Sequence, residues 1–157
     1  MRLIANVEIT GMQHVPQEGS VIVVSNHVGR LDAMLGVVLV QRSDIVFFIA
    51  QKYQKSAVWR WFTRKLNAVW LNRETADFGA MRQVLKRLKA GDLLGMAPEG
   101  TRSKSGSLME GKSGAAYLAA KAKAPIIPVA LVGCEDAIVK SRLKRLQRLE
   151  IKIVVGE

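Results

Sequence analysis

Hydrophobic positions along this chain change period several times, and each change predicts an element. Leu3, Ala5, Val7 and Ile9 alternate with polar neighbours over residues 2–10, the two-residue repeat of a strand. "PQEGS" (16–20) reads as a turn, and "VIVVS" (21–25) is apolar without interruption, as in a strand buried on both faces. The polar loop "NHVGR" leads to an apolar helix from about Asp32 to Gln41 and then to a second buried strand, "IVFFIA" (45–50). Residues 54–66 set Trp59, Trp61, Phe62 and Leu66 beside Lys55, Arg60, Arg64 and Lys65, which predicts an amphipathic helix, and "AVWL" (68–71) a short strand. Over 76–90, Phe78, Met81, Val84, Leu85 and Leu88 recur on one helical face, with Thr75 or Asp77 as a cap and Gly91 as a stop. The remainder reads as a strand (92–97), a long loop (98–111), a small-residue helix (112–124), a strand (126–133), a basic helix near 136–149 and a last strand (149–155).

Strands alternating with helices predict an α/β fold: one layered domain over 1–157, with a mostly parallel central sheet flanked by helices. The length suits a single core, and 49% hydrophobic with 24% charged residues is an ordinary globular balance. A lone cysteine, Cys134, excludes an internal disulfide framework and fits a reducing compartment. Apolar runs such as "AMLGVVLV" (33–40) fall far short of the roughly 20 residues a spanning helix needs. "MRLIANVEIT" lacks the layout of a signal peptide, so the chain is expected to be soluble or to lie on a membrane surface. Charge changes the picture more. With 24 Lys+Arg against 13 Asp+Glu, the net charge of +11 favours polyanions, anionic membranes or phosphorylated substrates. The basic residues gather in 52–65 and 140–148, and the known nucleic-acid-binding motifs are absent, so no nucleic-acid partner is expected.

Three segments carry candidate chemistry. "GSLMEGKSG" (106–114) fits the phosphate-loop pattern at Gly106, Gly111, Lys112 and Ser113, which raises a nucleotide-binding alternative. The strand before it ends about nine residues too early for a loop that must leave the strand directly, so chance is the simpler source of the match. "SNHVGRLD" (25–32) is better placed: a strand ends, His27 follows, and Asp32 on the next helical turn can fold back on the imidazole. Such a pair serves as a general base. By itself the spacing is more often a structural histidine with an aspartate capping its helix. "APEGTRS" (97–103) shifts that balance by setting Glu99, Gly100, Thr101, Arg102 and Ser103 at another strand end, and "AVWLNR" delivers Arg73 from a third. Strand ends of a parallel sheet converge on one crevice. Guanidinium forks suit a phosphate, hydroxyls add hydrogen bonds and glycine lets the backbone approach. Two arginines with a His–Asp pair describe a site that binds phosphate and deprotonates a neighbouring group.

These segments resemble the glycerolipid acyltransferases of the H-x4-D type, especially the 1-acylglycerol-3-phosphate O-acyltransferases. "NHVGRLD" looks like their N-H-x4-D motif, "APEGTRS" is similar to their [FV]-P-E-G-T-R-S block, "NAVWLNR" to G-x-I-F-I-D-R and "APIIPVAL" to V-P-[IV]-[IV]-P-V, all in the family's order. Asn67 and Asn72 stand where that third block has a glycine and an acid, so Arg73 carries a weaker match than Arg102. The resemblance implies that His27, held by Asp32, deprotonates the hydroxyl of lysophosphatidate or glycerol 3-phosphate, which attacks the thioester of acyl-CoA or acyl-carrier protein. It implies an acceptor-phosphate site of Glu99, Gly100, Thr101 and Arg102, with Arg73 as a second contact and Glu99 either orienting Arg102 or holding the loop. No metal, covalent acyl-enzyme or bound cofactor is expected; the donor is a co-substrate. The partners implied are a lysophospholipid, the thioester donor and the cytoplasmic face of the cell membrane, touched peripherally. Cys134 is expected as a small buried residue, His14 as a solvated loop residue. Relatives commonly extend beyond both ends, so a compact form and a trimmed one both fit.

Overall fold

The structure, a computed structural model, describes residues 4–32, 35, 42–57, 60, 61, 63, 68–73, 75, 77–103 and 105–157. The helices expected over 32–41 and 54–66 lie in large part outside the described residues. Seven strands form one sheet: β1 (Ala5–Thr10), β2 (Val21–Ser25), β3 (Ile45–Ala50), β4 (Val69–Leu71), β5 (Leu93–Met96), β6 (Ile126–Val132) and β7 (Leu149–Val155). Their spatial order is β1-β7-β6-β2-β5-β3-β4. Strands β2 to β6 run parallel, β7 runs antiparallel to β6, and β1 pairs parallel with β7. The α/β fold with a mostly parallel sheet is the one expected.

Register explains why the central strands read as unbroken apolar runs. Ile22 pairs with Leu94, and Leu94 with Val46, so one row crosses three strands on one face. Val21, Leu93 and Ile45 form the matching row on the opposite face. All six are buried, because both faces are covered. The first row packs under α1 (Phe78–Lys89) and α2 (Gly114–Ala122) through Ala80, Val84, Leu88 and Leu118. Burying each large aliphatic side chain contributes about 1.5–3 kcal/mol. Strand β7 alternates instead, burying Leu149, Ile151, Ile153 and Val155 and exposing the residues between, while edge strand β1 half-buries Ala5 and Val7 and leaves Ile9 of the expected apolar face exposed.

Helix α1 starts where expected: Asp77 Oδ1 accepts the Ala80 N–H at 2.9 Å while Oδ2 accepts the Asn72 N–H at 3.0 Å, which also ties the helix to the end of β4. Phe78 corrects the expected core face. It is 77% exposed, because at 100° per residue it sits about 120° around the helix from Val84. The basic helix, α3 (Asp136–Lys144), ends earlier than expected. At the N-terminal ends of the strands, Arg42 is buried and saturated. It donates to the carbonyls of Pro16 (3.0 Å), Gly19 (2.9 Å) and Gly91 (2.8 Å) and pairs with both oxygens of Asp44. This guanidinium ties together the segments that enter β2, β3 and β5. The opposite edge, where five parallel strands end, is left for chemistry.

Candidate active site

Three adjacent strand ends build the site: β6, β2 and β5. At the end of β2, Asn26 continues the ladder with its side chain. Its Nδ2 donates to the Leu131 carbonyl at 2.9 Å and its Oδ1 accepts the Leu131 N–H at 2.8 Å. The next residues therefore leave the sheet from a fixed point. Gly29 then passes so close to the segment after β6 that a Cβ on it would stand 1.9 Å from the Cys134 carbonyl oxygen. No other residue fits without moving the loop.

Asp32 closes this loop. Its Oδ2 accepts hydrogen bonds from His27 Nδ1 (2.8 Å) and from the N–H groups of Val28 (2.8 Å) and Gly29 (3.0 Å). Burial is the largest influence on this carboxyl and works to raise its pKa. The bonds from His27, Gly29, Cys134 and Val28 together outweigh it and hold Asp32 below the usual carboxylate range. An ionised Asp32 only accepts, so His27 carries its ring proton on Nδ1 and keeps the Nε2 lone pair available. The imidazole is 21% exposed and the carboxylate 5%: a reachable base over a sheltered anion.

The loop after β5 is clamped to the same residue. Glu99, fully buried, accepts the His27 N–H with Oε1 at 2.9 Å and the Met109 N–H with Oε2 at 3.2 Å. The Ser103 N–H donates to the His27 carbonyl at 2.7 Å. Of the two roles open to Glu99, the structure displays the loop-holding one; Arg102 pairs elsewhere, donating from Nη1 to Asp136 Oδ2 at 2.7 Å. Gly100 takes φ +71°, and the Lys112 stem lies over it, with Cε and Nζ 3.3 Å from where a Cβ would be. Thr101 is exposed beside it. His27, Asp32, Glu99, Gly100, Thr101 and Arg102 thus share one place. Arg73 is exposed at the end of edge strand β4. Three strand spacings, about 14 Å, separate β4 from β2.

Two expectations need correction or sharpening. His14 lies in a 3-10 turn, Met12–His14, with Nδ1 buried rather than solvated. Cys134 is buried as expected but adjoins Asp32. Burial first, then the nearby Asp32 carboxylate, push the thiol far up, so it stays protonated and is no nucleophile. Residues given no role from sequence also enter the site: Asn26, Arg30 and Asp136. Asn26 and Arg30 lay inside a recognised motif. Arg30 and Asp136 meet across 106 residues, and no local pattern signals that. The phosphate-loop match dissolves: β5 ends at Met96, Gly106 sits in an exposed loop, and α2 begins only at Gly114. A fixed base beside a cation-bearing, glycine-containing loop is equipped to activate a hydroxyl next to an anion.

The chain belongs to the Acyltransferase family, whose family model matches residues 6–132. It is 25% identical over 159 residues to 1-acyl-sn-glycerol-3-phosphate acyltransferase of Bacillus subtilis, covering 100% of this chain and 75% of that protein. It is 31% identical over 139 residues to the human 1-acyl-sn-glycerol-3-phosphate acyltransferase alpha, covering 83% of this chain and 47% of that one. Among solved structures it is similar to the 1-acyl-sn-glycerophosphate (LPA) acyltransferase PlsC from Thermotoga maritima. The TM-score is 0.78 with 28% identity, over 99% of this chain and 61% of that one. The chain therefore spans about half the length of its human relative and three-fifths of the Thermotoga one.

Proposed function

We propose that the chain transfers a fatty acyl group from a thioester, acyl-CoA or acyl-carrier protein, to the free hydroxyl of lysophosphatidate, giving phosphatidate. The observation that carries this is the His27–Asp32 pair pinned through Glu99 and Ser103 to the Arg102 loop. His27 Nε2 takes the hydroxyl proton as the oxygen attacks the thioester carbonyl. The tetrahedral intermediate collapses, the C–S bond breaks, and the imidazolium returns the proton to the departing thiolate. Asp32 stabilises that imidazolium throughout. A positioned base contributes about 10²–10⁴-fold.

Arg102, with the Gly100 and Thr101 backbone beside it, binds the acceptor phosphate, and Glu99 serves this site by shaping its loop. Arg73 is a more distant phosphate contact reaching in from β4. The reaction needs no metal or bound cofactor, since the thioester already carries the activated acyl group. An amphiphilic acceptor and a net charge of +11 support peripheral work on the cytoplasmic face of the membrane. The names borne by the relatives support lysophosphatidate as acceptor.

The test is thiol release from acyl-CoA and acyl-carrier protein across lysophosphatidate, glycerol 3-phosphate and lysophosphatidylglycerol, with products identified by mass. Lysophosphatidate should give the highest kcat/KM and phosphatidate as product. Equal thiol release with and without any acceptor would overturn the proposal.

A further inference from the structure

Asp136 receives two arginines that come from different strand ends. It opens α3, directly after β6. Its Oδ2 accepts from Arg102 Nη1 at 2.7 Å and lies 3.7 Å from Arg30 Nε, while its Oδ1 accepts the Arg30 backbone N–H at 2.9 Å. All three groups are solvent-accessible, Arg30 most of all at 83%. Exposed ion pairs contribute little to stability, so the arrangement matters for where it holds the cations. The close pass of Gly29 against the Cys134 backbone brings the Arg30 backbone to the start of α3. Arg102 spends one N–H on Asp136, and Arg30 donates no side-chain hydrogen bond at normal distance among the described residues. Two guanidinium groups, with most of their donors unspent, are therefore held against one carboxylate, on the two loops that meet at His27.

We infer that Arg30 is a second phosphate-contacting cation, and that Asp136 is the positioning residue keeping Arg30 and Arg102 together as a clamp for the acceptor's phosphate monoester. This rests on the proposed acyl transfer and adds two residues to its acceptor site. Arg30 fills one of the unspecified positions of the H-x4-D pattern, and Asp136 lies outside both patterns. A dianionic phosphate calls for two cations, and paired guanidinium forks can meet three oxygens from two directions. Arg30 sits two residues before Asp32 on the loop that carries the base, so it couples phosphate capture to the position of the reacting hydroxyl. Asp136 orients the pair at a cost, because its own charge opposes the ligand.

That cost makes the test discriminating. Binding of a short-chain lysophosphatidate is measured by calorimetry, and KM and kcat by thiol release, for Arg30→Ala, Arg30→Lys, Asp136→Ala and Asp136→Asn. Arg30→Ala should weaken binding and raise KM about tenfold with kcat within about twofold. Arg30→Lys should recover part of the loss. Asp136→Ala should weaken binding comparably. Asp136→Asn should lose less than Asp136→Ala, because its one amide oxygen still accepts from Arg102 Nη1 while the opposing charge is gone, although its NH2 then faces the Arg30 backbone N–H. The double variant Arg30→Ala/Asp136→Ala should lose less than the sum of the two single losses, as expected of coupled residues. Wild-type binding by folded Arg30→Ala overturns the inference, as does equal damage from Asp136→Asn and Asp136→Ala. If wild type binds the lysolipid but releases no thiol with any acceptor, acyl transfer fails while the clamp is still judged by binding.

Discussion

Replacing Asp32 by Asn separates the charge of the carboxylate from its shape. Asp32 Oδ2 accepts three N–H groups, two of them from the backbone of Val28 and Gly29. An amide NH2 in that position would face two backbone donors, so the Asn must put its oxygen there and its NH2 toward the buried Cys134 side. The loop and the Nδ1–H tautomer of His27 are then preserved. What disappears is the anion 2.8 Å from the imidazolium. At an effective dielectric constant of about 20 that attraction is about 6 kcal/mol, comparable with the 10²–10⁴-fold contributed by a positioned base. Thermal stability should fall by about 1–3 kcal/mol, as three charge-assisted bonds become neutral ones. In steady-state thiol release, kcat should drop by about 10²–10⁴ with acceptor KM within a factor of about three. A folded Asp32→Asn enzyme with kcat within about threefold of wild type would refute the reasoning. So would one in which KM alone changed.

Glu99→Gln keeps an acceptor for the His27 N–H but turns a donor toward the Met109 N–H, so stability should fall by about 1–3 kcal/mol. In kinetics kcat should fall more than acceptor KM rises, the reverse of a phosphate contact. Arg42→Ala strands the carbonyls of Pro16, Gly19 and Gly91 far from the site. It should cost about 3–5 kcal/mol, seen as a Tm lower by about 6–20 °C with kcat of the folded enzyme unchanged. Asp32, Asp44 and Asp77 all have carboxyls held below the usual carboxylate range. Burial opposes the shift at Asp32, the Arg42 bond leads it at Asp44 and the Ala80 N–H leads it at Asp77. Folded values below the unfolded one mean stability that is fully present above pH 3.8 and lost as pH falls through the folded values. Denaturant melts should therefore be flat in this contribution at neutral pH and fall below about pH 4, less steeply in Asp77→Asn.

Much of this was legible in the sequence because buried parallel strands write themselves as continuous apolar runs. "VIVVS" and "IVFFIA" are β2 and β3 residue for residue. "LEIKIVV" is likewise β7 residue for residue, but its antiparallel course against β6 was not legible in those seven residues. The His27–Asp32 contact was legible since five residues span it. Glu99 was placed correctly at a strand end, yet which group it would hold depended on the stacking of two loops that sequence spacing does not encode. The Arg30–Asp136–Arg102 cluster was invisible for the same reason: its members are separated by 106 and 34 residues. Phe78 misled because one helix position looks apolar whether or not a neighbour arrives to cover it.

The central claim is that His27 Nε2 takes the acceptor's proton. Its most direct test compares phosphatidate formation by wild type and His27→Ala, with equal far-UV circular dichroism and equal lysophosphatidate binding as controls. The expected result is turnover by wild type and a loss of at least about 10²-fold in kcat for the variant; a folded His27→Ala protein that forms phosphatidate at the wild-type rate would contradict it.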